Sequence, residues 1–212
     1  VEHATGKLNT VSTKQIRNNL DPDVLDRDNH IQITGADVYK NARICGLEYG
    51  ENFQKVSRVV ITNDERVFTE FDRTAFEQND SAAYLIHPTI LDSAFHSLFT
   101  LMQLGDSQQF PFTYLPTEIN SLLVRELSDN IKYSECVIQS TTENIIHASF
   151  YLYDEDGKLN AELVDCVFRK LPRSEGKNNT AGFYNYKLIP KNLINLGENS
   201  PLPSNNDLIS EV

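Results

Sequence analysis

Asp92 and His96 stand four residues apart in the run Leu85-Ile86-His87-Pro88-Thr89-Ile90-Leu91-Asp92-Ser93-Ala94-Phe95-His96, a spacing that puts a carboxylate and an imidazole on one face of a helix. Such a pair can take part in proton chemistry. It can equally be structural, with aspartate complementing the helix dipole and histidine hydrogen-bonded to it. The spacing allows both. Around the pair the helix is apolar: Leu91, Ala94, Phe95, Leu98, Phe99 and Met102 recur at three- and four-residue intervals, the rhythm of a buried stripe. Pro88 suits a first helical turn, where its missing N–H is not needed. Ionisable groups beside such a stripe must be paired or hydrogen-bonded, because an isolated buried charge is strongly disfavoured.

The elements that must hold this helix are legible in the surrounding pattern. Gly35 to Ile44 reads as a short helix, with Val38, Tyr39, Ala42 and Ile44 roughly in phase and Gly46 placed as its C-cap. The turn at Tyr49-Gly50 follows directly. Phe53 to Ile61 and Arg66 to Phe71 read as strands around a polar turn, Thr62-Asn63-Asp64-Glu65, and a polar connection at Glu77 to Ser81 leads to the Asp92 helix, which runs to about Leu104. Three further strand-like runs are Thr117 to Glu126, Tyr133 to Ser140 and Ile145 to Tyr153, the last turning at Asp154-Glu155-Asp156-Gly157 into Leu159 to Lys170. One long apolar helix against an antiparallel sheet of about five strands is an α+β layer pair. Residues 35–172 form this unit, residues 1–9 read as a strand preceding it, 10–34 as a polar linker with a helical possibility around Thr13 to Asn19, and 173–212 as a linker-like tail rich in Asn, Pro and Ser.

Composition removes several function classes. Nineteen basic against thirty acidic side chains give a net charge of −11, the wrong sign for a nucleic-acid footprint or an anionic membrane surface. No run approaches eighteen consecutive apolar residues, and Val1 to Gly6 do not resemble a signal peptide. Three cysteines, Cys45, Cys136 and Cys166, lack C-x-x-C spacing, so buried reduced thiols and a reducing, cytoplasmic setting are expected. His87, Asp92 and His96 offer three possible metal ligands without a second carboxylate or a cysteine cluster, so no metal site is assigned. His87 is expected to cap the helix entrance. His3 and His147 on strands and His30 in the linker receive no role.

Three ordered signatures, Gly46-x-x-Tyr49-Gly50-Glu51-x-Phe53, His87-Pro88-x-x-Leu91-Asp92-x-x-x-His96 and the pair Pro111-Phe112, resemble those of the dehydratase domain of polyketide synthases and animal-type fatty acid synthases, in the second of its two hotdog units. The chain departs from that pattern at Glu51, where the family has proline, a loss expected to loosen the turn that positions Tyr49. Residues His3-Ala4-x-Gly6-x-Leu8 are similar to the strand that closes the first unit.

The resemblance implies an α+β hotdog fold, the C-terminal half of a double hotdog, and dehydration of a β-hydroxyacyl thioester. Asp92 is then the proton donor, His96 the residue that orients it, and Tyr49 and Gly50 the substrate-facing turn. The base is a histidine of the first unit, which this sequence lacks. A carboxyl that donates near neutrality must keep its proton there, which a dry apolar tunnel favours and which requires a neutral His96. The implied partners are an acyl carrier protein bearing the substrate on phosphopantetheine, the N-terminal hotdog half and neighbouring synthase domains, with no cofactor bound by the chain itself. Tethering in one polypeptide, rather than bulk attraction, would bring an acidic carrier to this acidic domain. Two alternatives stay open: a hotdog thioesterase or enoyl isomerase, and a non-catalytic acyl-binding relic.

Overall fold

The computed structural model describes residues 5–8, 17–27, 30–44, 46–63, 65–72, 84–104, 112–125 and 130–172. The chain divides into two compact units, Val1–Ser174 and Glu175–Val212. All described residues belong to the first; the expected tail, Cys45, His3, the Glu77 to Ser81 connection and Pro111 of the Pro111-Phe112 pair lie outside them.

Among the described residues seven strands form one antiparallel sheet: β1 (Ile31–Thr34), β2 (Val56–Asn63), β3 (Arg66–Phe71), β4 (Phe112–Val124), β5 (Ile131–Thr141), β6 (Ile145–Asp154) and β7 (Leu159–Pro172). Their order is β1-β2-β3-β5-β6-β7-β4. Two helices, α1 (Gly35–Ile44) and α2 (Pro88–Leu104), complete the architecture, and α2 packs on β2, β3 and β5 and against α1.

The ends of both helices follow from their sequences. At the start of α2 the His87 ring nitrogen Nδ1 accepts the Thr89 N–H at 3.3 Å, with the Thr89 hydroxyl 2.7 Å away, so the histidine satisfies a donor that the first turn leaves over. Pro88 follows as the first helical residue. At the end of α1, Gly46 adopts φ 83°, its N–H bonds to the Arg43 carbonyl at 2.9 Å, and the Leu47 N–H reaches back to the Ala42 carbonyl at 2.9 Å. That is a Schellman closure, which needs a left-handed residue at this position.

Packing of α2 goes beyond the apolar stripe. Ala94, Phe95 and Leu98 are buried as expected, and the Phe95 ring lies edge-on to Phe150 and Phe168 at 4.9 and 5.3 Å. Ser93, Ser97 and Thr100 are buried too. Their hydroxyls are satisfied locally, Ser97 to the Ala94 carbonyl (3.0 Å), Thr100 to the His96 carbonyl (3.4 Å) and Ser93 to the Phe53 carbonyl (3.4 Å), which is how small polar residues occupy a core without an orphaned group.

Several expectations need correction. The stretch 10–34, expected as a linker, instead contains a 3-10 turn at Pro22–Asp26 and strand β1. Leu25 is buried in a second apolar cluster with Val60 and Phe68, so part of this polar stretch belongs to the packed unit. Thr5 to Leu8 carry no regular structure, and the strand expected over residues 1–9 is not seen in them. Phe53 belongs to a 3-10 turn and not to β2. Strand β4 begins at Phe112, earlier than expected, and contains Pro116 beside a register shift, as an edge strand allows. Cys136 and Cys166 are buried free thiols; burial pushes both up, Cys166 to about 12, which keeps them protonated and unreactive.

Candidate active site

Helix α2 presents Asp92 and His96 one turn apart. His96 Nε2 lies 3.1 Å from Asp92 Oδ2, so the expected pair exists as a contact. The two side chains differ in setting: His96 is 1% exposed and Asp92 38% exposed. The imidazole is clamped by two rings, Tyr49 with centroids 4.1 Å apart and Tyr39 edge-on at 5.6 Å. Tyr39 and Tyr49 also meet each other at 6.0 Å. The ring thus has little freedom to turn, and Nε2 stays directed at the carboxyl.

The apolar tunnel expected around Asp92 is not closed by the described residues. The physical reason is placement along the helix: α1 and the Tyr49 turn lie over His96, a full turn beyond Asp92, which keeps an open side. Phe53 (42% exposed), Tyr84 and Leu85 are exposed apolar residues in the segments that flank this end of α2.

Tyr39 is the residue that sequence reasoning did not single out. Its hydroxyl accepts the Val56 N–H at 2.9 Å and donates to the Phe53 carbonyl at 3.4 Å, which ties α1, the Glu51–Phe53 turn and β2 together behind the imidazole. Burial, with a small contribution from the Asp92 charge, pushes the phenol up to about 12, so it remains a donor at neutral pH. Its position in the apolar phase of α1 was the available signal; that the phase points at His96 is a tertiary fact.

The Tyr49 turn is intact despite Glu51. Phe53 N–H bonds to Gly50 O at 2.9 Å, Gln54 N–H to Glu51 O at 3.2 Å, and the Gln54 side-chain amide donates to Tyr49 O at 2.7 Å. Glu51 opens a 3-10 turn and is exposed, a position that proline favours but does not monopolise. Where the family's proline would stiffen this turn, the Gln54 amide adds a bond to the Tyr49 carbonyl. Gly50 has extended backbone, φ −68° and ψ 162°, with nothing within 4 Å of where a Cβ would sit. A small cavity of about 280 Å³ beside it is lined by Tyr39, Arg43, Glu48, Tyr49 and Gln54. The ring of Tyr49 packs on His96. His147 pairs with Asp165 at 2.6 Å on β6 and β7, away from α2's face, and His30 lies just before β1.

Comparison with known proteins bears on the family and the fold. Residues 18–178 match the family described as polyketide synthase dehydratase N-terminal domain. Polyketide synthase PksM of Bacillus subtilis is 27% identical over 147 residues, 66% of this chain and 3% of that protein. The highly reducing polyketide synthase claI of Penicillium crustosum is 29% identical over 147 residues, 66% of this chain and 6% of its own. The chain therefore spans a small fraction of the curated relatives it matches. Among solved structures, the dehydratase domain of a mycocerosic acid synthase-like polyketide synthase superposes with a TM-score of 0.64 at 17% identity, covering 76% of this chain and 56% of that one. The dehydratase domain of the CurJ module of curacin synthase gives 0.61 at 20% identity, with 74% and 56% covered. The PpsC dehydratase domain of Mycobacterium tuberculosis in complex with C12:1-CoA gives 0.57 at 18%, with 73% and 56% covered. These likenesses establish the hotdog fold, and with the match over residues 18–178 the chain belongs to the polyketide synthase dehydratase domain family.

Proposed function

We propose that the chain supplies the acid half of a β-hydroxyacyl dehydratase, the second hotdog unit of a double hotdog. One observation carries this reading: the Asp92 carboxyl is held 3.1 Å from a buried, clamped imidazole while its own side chain stays 38% exposed. One partner is fixed and the other presented. The matched family is described as an N-terminal domain, but the residues with acid chemistry favour the second unit, and the chain spans 56% of the solved dehydratase chains.

The reaction divides between two groups. A histidine base from the first unit takes the α-proton of the β-hydroxyacyl thioester, the β-carbon–oxygen bond breaks, and the Asp92 proton joins the departing hydroxide as water. The product is the enoyl thioester; Asp92 is left as carboxylate and the base protonated, and solvent returns both to their starting states. His96 is a positioning residue that fixes the carboxyl, and the Tyr49-Gly50 turn lies along the substrate, with the open side of Gly50 leaving room for it. Exposed Phe53, Tyr84 and Leu85 are the kind of apolar surface that a second wall buries, which would dry the groove around Asp92. The substrate arrives on the phosphopantetheine arm of an acyl carrier protein within the same synthase, and no cofactor is held by this chain.

The test is reconstitution. This chain alone is expected to leave a carrier-bound β-hydroxyacyl substrate unchanged, and fusion to a complete first hotdog unit is expected to yield enoyl product. Binding of a carrier-bound analogue without turnover in the fusion would instead support the relic reading, and hydrolysis of acyl-CoA the thioesterase one.

A further inference from the structure

The sheet has a second furnished face. Strand residues alternate sides, and while Cys136, Ala148, Phe150, Leu152 and Leu163 face the α2 core, Glu135, Tyr151, Tyr153 and Glu162 line a cavity of about 670 Å³ that residues 17–27 border. At its floor is a carboxylate that is almost wholly buried: the Glu135 side chain is 5% exposed. Arg17 engages it with both arms of its fork, Nε to Oε2 at 3.1 Å and a terminal nitrogen to Oε1 at 2.6 Å, and its guanidinium lies 3.9 Å over the Tyr151 ring. Tyr153 donates to Oε2 at 2.9 Å and Arg66 Nε stands 2.9 Å from Oε1.

A bidentate carboxylate, an aromatic face and a phenol acceptor-donor are the recognition elements for a planar organic cation. We propose that Glu135, Tyr151 and Tyr153 form a guanidinium-binding site on the sheet face opposite α2, whose resident ligand is the Arg17 side chain, making residues 17–27 a strap closed by an exchangeable latch.

The strap is built to lie there. Leu20 N–H bonds to the Gly157 carbonyl at 2.8 Å, and Gly157 has φ 77° with a Cβ position only 2.0 Å from the Leu20 carbonyl oxygen, so the β6–β7 turn admits the strap only as glycine. Leu25 anchors the far end beside Val60 and Phe68, and Asp26 meets Arg58 at 2.8 Å. Arg17, N-terminal to these fixed points, is 26% exposed and borders the cavity, so a competing cation has a route in. Burial alone would lower the Arg17 pKa, but Glu135 and Tyr153 outweigh it and raise it, so the latch stays charged at any ordinary pH.

The test uses Arg17→Ala in the full chain. Removing the latch is expected to accelerate hydrogen exchange at the Leu20 amide at least tenfold. Millimolar ethylguanidine is then expected to restore slow exchange saturably, while N-ethylurea, its neutral counterpart, has no effect, and in the unaltered chain a saturable response is expected only at higher concentration, where the cation displaces Arg17. Adding Glu135→Gln is expected to abolish rescue. Arg17→Lys, which keeps charge but loses the fork, gives the same readouts if the alanine variant does not fold, with partial protection and weaker rescue. Unchanged Leu20 exchange in Arg17→Ala, or equal effects of ethylguanidine and N-ethylurea, would overturn the proposal.

Discussion

His96 is the hinge of the account, and its substitution separates packing from chemistry. Removing the imidazole in His96→Ala deletes two aromatic contacts, at 4.1 and 5.6 Å, and one hydrogen bond to a carboxylate at 3.1 Å. Because Asp92 is 38% exposed, water replaces much of that bond, and the loss is dominated by the cavity beneath Tyr39 and Tyr49; about 2–4 kcal/mol of stability is expected to go. His96→Leu keeps most of the volume without a donor, and His96→Gln keeps a donor on a side chain that reaches the same carboxyl. In an enzyme completed by the first hotdog unit, His96→Gln is expected to hold its rate within about tenfold, whereas His96→Leu falls by about 10²-fold or more because a freely rotating acid spends little time in line with the leaving oxygen. Urea midpoints report the packing term, and turnover of a carrier-bound β-hydroxyacyl substrate reports the chemical one. A folded His96→Leu enzyme with unaltered turnover would refute the positioning argument.

Other outcomes follow from local geometry. Glu51→Pro is expected to stabilise the chain by about 0.4–1 kcal/mol, since Glu51 opens the 3-10 turn and Gly50 before it is already extended; a lower urea midpoint would show that the turn depends on the glutamate. Gly157→Ala combines a left-handed φ with a Cβ 2.0 Å from a backbone oxygen, so a loss of about 2–4 kcal/mol is expected in thermal or urea unfolding, and a loss below 1 kcal/mol would contradict the close approach. Glu70 provides a pH test: burial would raise its pKa, but Lys132 at 2.9 Å and Arg58 at 2.6 Å lower it on balance from 4.5. Its contribution to stability is then complete above the unfolded carboxyl's pKa and lost as pH falls through the lower folded value. Glu70→Gln is therefore expected to unfold with a flatter acid limb, converging on the parent curve at low pH; parallel curves would count against it.

Much of the fold was legible because single principles decided it. Gly46 ended α1 through its left-handed turn, Pro88 and His87 opened α2, and the Asp154-Glu155-Asp156-Gly157 turn joined β6 to β7. What escaped notice depended on contacts distant in sequence. Strand β1 is four residues in a polar stretch, and it exists because β2 offers Val59 and Ile61 as partners to Ile33 and Ile31. Ser93, Ser97 and Thr100 lie outside the apolar stripe of α2, yet they are buried, with Ser93 set against the Phe53 carbonyl of the preceding 3-10 turn. At the site, the i, i+4 rule brought Asp92 to His96 correctly, whereas the clamp by Tyr39 and the open side of Asp92 came from where α1 lies, which no local pattern encodes.

The central claim is that the Asp92 carboxyl delivers the proton that leaves with the hydroxide. Single-turnover dehydration by the completed double hotdog, comparing the parent enzyme with Asp92→Asn at matched folding stability, addresses it most directly. The amide variant is expected to bind substrate but to form enoyl product about 10²–10⁴-fold more slowly; enoyl formation at the parent rate would mean that the proton comes from another group.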